Sequence, residues 1–455
     1  MGMYCRSRAW LQDVCYLTSH ASKVMPMWGE QLQHAMRKSR QIYDILTISQ
    51  LKKSDDILFA KQHAAGNIFK RPLTQQFYQA KKQLLHKDLR CLFVISVLNG
   101  TVPVSVFPNL RNRIYDTLQQ LWLLLLYIGI CIASFYELAY GPLKLSDLEH
   151  NFYLIEACLY FIQLPCIMLF CVRWRHKIEA VLVCIVEFDL ASGYGWAPGS
   201  MQRFVRRQFL LVLLCLCLCI PLVIDYSEYD LIQSLCNWST YVAPNAISNS
   251  SLVCYYTLLH GIFMRLQCLN STLEAQLAEP SSALELRRLL HKLRWQHIQL
   301  LSFTKALNQT YGVCLLLIYT SSFVSSNCMI FLCYKSIVNP IDANWSWYGY
   351  IIVWVSMHWG KMFGILYFNN AVQKEQTRSL SLLSKLQTDC VQLTETINHF
   401  ELQLKTDVRA HVACDLILLD LRFITGLLMA SANVFIFFLQ YDITYHALFQ
   451  PDPHS

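Results

Sequence analysis

Charge is what this chain has little of. Asp, Glu, Lys and Arg make up 15% of its 455 residues, while 55% are hydrophobic. A soluble domain carries about a quarter charged residues. The few charges fall in blocks between long uncharged runs, the pattern of a polytopic membrane protein. No apolar h-region follows Met1, so no cleaved signal peptide is expected. Arg6 occupies the position where N-myristoylation requires Ser or Thr. No Cys-x-x-Cys pair has zinc-ligand spacing. Many of the 19 cysteines lie inside apolar runs (Cys166, Cys215, Cys217, Cys219), as small buried hydrophobes in a reducing or lipid setting. His260, His358, His411 and His446 do not cluster at ligand spacing, and no nucleophile motif occurs. Enzyme chemistry and a cofactor are therefore not expected. The net charge is +8, but no basic domain is interleaved with aromatics, which argues against nucleic acid. The positive charge reads as loop charge that sets topology.

What the chain does have is long apolar runs, and a membrane helix needs about 20 such residues. Seven qualify: Thr117–Tyr136, Ala157–Val172 (extended outward past Glu156 to Asn151), Gln208–Ile224, Leu231–Met264, Ala306–Tyr334, Ala343–Gly360 (continuing past Lys361) and Phe423–Tyr441. The fourth is too long for one span. Its polar opening, Cys236–Ser251, reads as a loop ahead of a single helix. An eighth uncharged stretch, Cys91–Leu110, contains Asn99-Gly100, Pro103 and Pro108, which break helices. Basic residues flank it on both sides, so it reads as an interfacial or re-entrant segment.

Loop charge gives the orientation. The connections after spans two, four and six hold seventeen Lys and Arg up to Arg409. Those after one, three and five, with the C-terminal tail, hold two, Lys144 and Lys335. The expected fold class is an all-α integral membrane protein with seven helices, N-terminus cytoplasmic and C-terminus extracellular. The sequons at Asn237, Asn249 and Asn344 fall in or beside connections assigned to the outside, and are N-glycosylation candidates.

This layout is the reverse of a G-protein-coupled receptor, and the DRY and NPxxY signals of that family are missing. The end of the chain instead resembles the insect gustatory receptor family, part of the insect chemoreceptor superfamily. In that family a Leu-Asp pair opens the last helix, and Thr-Tyr, five apolar residues and Gln-Phe close it. Here Leu419-Asp420 matches the opening. Gln440-Tyr441 follows the apolar five Phe435 to Leu439, while Asn433-Val434 stand where Thr-Tyr would be. Leu307-Asn308 with Tyr311-Gly312 resembles the family's entry to span five. Weaker echoes are Arg265-Leu266 with Leu269-Asn270, and Asn99-Gly100 with Pro103. The resemblance covers about residues 85 to 442 and marks a divergent member.

The resemblance implies a tetramer, homomeric or formed with related receptors, that opens a ligand-gated cation channel in the plasma membrane of chemosensory neurons. Phe437, Gln440 and Tyr441 share one helical face at i, i+3, i+4. Around a fourfold axis they would form an apolar ring that closes by dewetting, beside an amide ring that wets it. Periodicity alone favours a face that packs on a neighbouring helix, with Gln440 bonding a backbone carbonyl, and the resemblance reverses that preference. A small-molecule tastant, bitter compounds being the default, is expected among spans two to six. Candidate pocket residues there are Glu156, Tyr255, Tyr256, Tyr350 and Trp354, although an aromatic belt would put rings in the same places. An acid inside a span is costly unless used.

The domain scheme that follows has six parts. Residues 1–90 form a cytoplasmic extension, 91–113 the interfacial segment, and 114–372 helices one to six with the pocket. Residues 373–415 form a cytoplasmic helical assembly region, 416–442 the pore-lining helix, and 443–455 an extracellular tail. An odorant receptor of the same superfamily is the nearest alternative. A transporter would call for repeated halves, which are not evident.

Overall fold

The computed structural model of the chain describes residues 72–106, 113–140, 147–173, 175–195, 199–226, 231–278, 282–338, 345–386, 390–406, 412–413 and 417–449. It divides into two units, 1–76 and 77–455. Most of the 1–90 extension lies outside the described residues, as does Asn344.

The described elements are almost all helical: α1 (Pro72–Asp88), α2 (Arg90–Leu98), α3 (Arg113–Tyr140), α4 (Asp147–Arg173), α5 (Arg175–Ser192), α6 (Ser200–Tyr226), α7 (Leu231–Asn237), α8 (Ala243–Ala278), α9 (Ala283–Val338), α10 (Trp345–Leu383), α11 (Val391–Thr406) and α12 (Phe423–Phe449). Two short strands, β1 (Val412–Ala413) and β2 (Ile417–Leu418), pair antiparallel ahead of α12. Among the described residues, six helical stretches are long and apolar enough to cross a membrane, within α3, α4, α7–α8, α9, α10 and α12. The remaining expected run, Gln208–Ile224, lies inside α6. The described residues of each of the seven sequence runs thus fall in their own helix or helix pair.

Three helices, α8, α9 and α10, pack on one another to form the centre. The inward face of α8 is so closely covered that Tyr255, Leu259 and Ile262 have no exposed surface. Both α9 and α10 outrun any bilayer. Beyond the apolar stretch their ends join the end of α8 and α11 around Leu273, Leu290, Leu293, Leu382, Leu383, Leu393, Ile397 and Phe400. The regular leucines of 373–415 therefore pack into a helical bundle. The connection between α4 and α6, read as a basic loop, is mostly the helix α5.

Broken backbone is satisfied by side chains rather than left bare. After α2 the chain turns at Gly100, whose φ of 70° suits a residue without Cβ. Gln119 on α3 clamps the turn. Its Oε1 accepts from Val104 N at 2.8 Å, and its Nε2 donates to Val102 O at 3.0 Å and Val97 O at 3.2 Å. Pro165, inside α4, leaves the carbonyl of Phe161 without its helical donor. Tyr127 OH donates to that carbonyl at 3.3 Å.

The expectation of a loop at Cys236–Ser251 is overturned. The chain runs as α7, a π-helical turn (Trp238–Val242) and α8 without leaving helix. Ala243 N bonds back to Trp238 O across the wider turn, which eases the helix past Pro244. The polar residues that suggested a loop are buried, among them Asn245, Ser248, Ser250 and Ser251. They face other helices, not water.

Candidate functional site

The last helix has two unlike faces. Leu427 and Ser431 are buried, and Phe435, Phe438 and Leu439 pack on the cluster around Phe152 and Phe331. The Phe438 ring centroid lies 4.9 Å from Phe152 and 5.5 Å from Phe331. Polar contacts pin the same face to α9. Ser431 Oγ donates to Asn327 Oδ1 at 2.5 Å, and Lys335 Nζ sits 3.3 Å from Asp442 Oδ1. The opposite face is open. Phe437 is 52% exposed, Gln440 is exposed and Tyr441 is half-buried. Of the three candidate gate residues, two stand fully on the open face and the third at its edge.

The five candidate pocket residues separate into two groups. Glu156 on α4, with Tyr350 and Trp354 on α10, belongs to one. Trp354 Nε1 donates to Glu156 Oε1 at 3.1 Å, and the Tyr350 and Trp354 rings stack at 5.3 Å. Tyr160 OH donates to the same carboxylate oxygen at 2.7 Å, and its own oxygen accepts from Asn245 Nδ2 at 2.8 Å. The Asn245 Oδ1 accepts from Lys361 Nζ, which also donates to Ser248 Oγ at 3.2 Å. A relay therefore runs Glu156, Tyr160, Asn245, Lys361, across three helices. His358 Nε2 lies 3.9 Å from Glu156 Oε1. All of these side chains are buried except Tyr350, which retains some surface.

Tyr255 and Tyr256 serve elsewhere. Tyr255 OH donates to Asn308 Oδ1 at 2.7 Å and accepts from Asn369 Nδ2 at 2.7 Å, and its ring meets Tyr311 at 5.5 Å. Tyr256 stacks on Phe368 at 4.6 Å and donates to Lys361 O at 3.1 Å. They knit α8 to α9 and α10, and Tyr256 is linked to the Glu156 group through the Lys361 carbonyl. The side chains flanking Glu156 were not foreseen, above all Tyr160, Asn245, His358 and Lys361. A lone lysine in an otherwise apolar run was the available signal for them.

The sequons fare no better as glycan sites. Asn237 and Asn249 are 6% and 7% exposed and sit in helix, where an oligosaccharide has no room. By contrast, the weak motif Arg265 to Asn270 marks real structural nodes. Arg265, 1% exposed, grips Asp189 of α5 with Nε to Oδ1 at 2.7 Å and Nη2 to Oδ2 at 2.6 Å. Asn270 Nδ2 donates to Glu375 O at 2.9 Å, and its Oδ1 accepts from Ser379 Oγ at 2.5 Å.

A multi-pass helical membrane protein, with central packed helices and a last helix half open, is the class this geometry defines. Comparison with known proteins narrows it. The 7tm chemosensory receptor model matches residues 89–445. Gustatory receptor 59f of Drosophila melanogaster is 35% identical over 371 residues, 82% of this chain and 91% of that protein. Gustatory receptor 59e of the same fly is 28% identical over 131 residues, 29% of this chain and 33% of that protein. Among solved structures, the olfactory receptor OR5 of Machilis hrabei in complex with eugenol superposes with a TM-score of 0.57 at 11% identity, covering 79% of this chain and 99% of that one. The chain belongs to the 7tm chemosensory receptor family and is a divergent gustatory receptor relative. Its relatives are chemosensory receptors and not enzymes.

Proposed function

We propose that this chain is a subunit of a tetrameric, ligand-gated, non-selective cation channel that reports contact chemicals at the surface of chemosensory neurons. The observation that carries the reading is the division of α12. One face is fastened to α9 by Ser431, Phe435, Phe438 and Asp442, while Phe437 and Gln440 remain exposed on the other. Four such open faces around an axis would line a path with alternating apolar and amide rings. The N-terminus lies in the cytoplasm in this reading, as loop charge indicates, and the bundle formed by the ends of α8, α9, α10 and α11 holds subunits together. The buried group around Glu156, Trp354 and Lys361 is the ligand site. Bitter compounds are the default class to screen, and the OR5 complex with eugenol gives a small aromatic molecule as a reasonable first probe.

The test is whole-cell recording from cells expressing the chain, alone and with related receptors, against a tastant panel. Ligand-evoked cation current is expected, altered in rectification or block by Gln440→Ala. A surface-expressed protein that passes no current under any of these conditions counts against the channel reading.

A further inference from the structure

Two buried opposite charges in this membrane domain avoid each other. Glu156 is 2% exposed and Lys361 4%. They do not form a direct ion pair. The carboxylate takes neutral donors, Tyr160 and Trp354, and the ammonium gives to neutral acceptors, Asn245 and Ser248. Burial of an ion costs several kcal/mol unless it is paired, and hydrogen bonds to neutral groups offset only part of that. Between them stands His358, with no exposed surface. Neither of its ring nitrogens makes a hydrogen bond, although Nε2 points to within 3.9 Å of Glu156. A buried imidazole with a donor and an acceptor both unused is uncommon, and His297, with no acid in ion-pair range among the described residues, shows it here as well, so it is the neighbouring carboxyl that distinguishes His358. A carboxyl, an amine and an imidazole without a hydrogen bond thus lie in one buried group.

We infer that this site receives a small zwitterion, a molecule that carries an ammonium and a carboxylate on one short frame, as amino acids do. The inference rests on reading the Glu156 group as the ligand site and names what that site takes. Formal charge decides between ligand classes. Glu156 and Lys361 sum to zero whether both are ionised or both neutral, so an amine or a carboxylate alone would add an uncompensated charge to a region of low dielectric. A wholly apolar ligand would leave His358 unsatisfied. A zwitterion adds no net charge and offers each buried ion a true counter-ion. Its carboxylate draws Lys361 from Asn245 and Ser248, its ammonium meets Glu156, and the freed relay gives α4, α8 and α10 a second arrangement.

The test is ligand binding to the purified full-length receptor, read by thermal stabilisation and so independent of current. The panel is glycine, β-alanine, γ-aminobutyrate, leucine and phenylalanine, with phenethylamine and phenylpropionate as single-charge analogues of the last. At least one zwitterion is expected to stabilise the protein at concentrations where the single-charge analogues do not. Glu156→Gln should weaken that zwitterion at least about thirtyfold while admitting the carboxylate analogue, and Lys361→Met should do so while admitting the amine. A purely structural role would not give this reciprocal exchange. A wild-type protein that no zwitterion stabilises, or that the single-charge analogues stabilise equally, overturns the inference, and this comparison needs no variant to fold. Zwitterion binding unchanged in both variants also overturns it. Zwitterion binding by a receptor that never conducts upholds the site while refuting the channel.

Discussion

Removal of Asp189 should be among the most damaging single changes outside the candidate site. Its carboxylate holds both ends of the Arg265 guanidinium, at 2.7 and 2.6 Å, with the two side chains 6% and 1% exposed. Asp189→Ala leaves a permanent cation in a closed space. Its other contacts include the Gly261 carbonyl at 2.6 Å and the face of Tyr194 at 5.1 Å. Stranding one partner of a buried pair costs about 3–5 kcal/mol, against a whole-protein stability of about 5–15 kcal/mol. Surface expression should collapse, and the detergent-solubilised protein should melt several degrees lower in a fluorescence size-exclusion assay. Removal of both charges together, as Asp189→Leu with Arg265→Met, takes away the stranded guanidinium and should recover most of the loss. The reasoning fails if the single variant melts like wild type, or if the double variant is as unstable as the single one.

Three further outcomes are expected. Lys335→Glu and Asp442→Lys should each shift the concentration for half-maximal current by about fivefold, since this pair is largely but not wholly buried; the exchanged double variant should return toward wild type, and additive shifts would argue against the contact. Tyr255→Phe leaves Asn308 and Asn369 short of a partner and should cost about 1–3 kcal/mol in thermal stability with ligand selectivity unchanged. Asn237→Gln and Asn249→Gln should not change electrophoretic mobility before or after glycosidase treatment; loss of a glycan-sized shift in either would show that its helix opens during synthesis.

Much of the fold was legible because lipid imposes one crude demand, an apolar length, and six of the seven runs from Thr117–Tyr136 to Phe423–Tyr441 lie in helical stretches that meet it. The same crudeness explains the failure at Cys236–Ser251. Hydropathy measures preference for water, and Asn245 satisfies that preference with Tyr160 and Lys361 instead. A buried partner and a solvent molecule are indistinguishable in one dimension. Helix rotation was hidden as well. Tyr255 and Trp354 are alike in type, yet one turns toward Asn308 and the other toward Glu156. The open face of α12 was readable because Gln440 breaks an apolar run, whereas the fastened face depends on Asn327, a residue of unremarkable type on a distant helix.

The unbroken helix α9 has a mechanical consequence. It holds 56 residues, so it is a rod of roughly 84 Å. One end is set among the leucines around Leu290, and the far end is tied to Asp442 through Lys335. A rod that long multiplies small rotations. A tilt of about 3° about the leucine end carries the other end through roughly 4 Å, near the width of a hydrated ion's first shell. With α12 strapped along it at Asn327 and Lys335, the slack usual between two membrane helices is removed, so the leucine bundle acts as a fulcrum and stiffness there sets how far the last helix can travel.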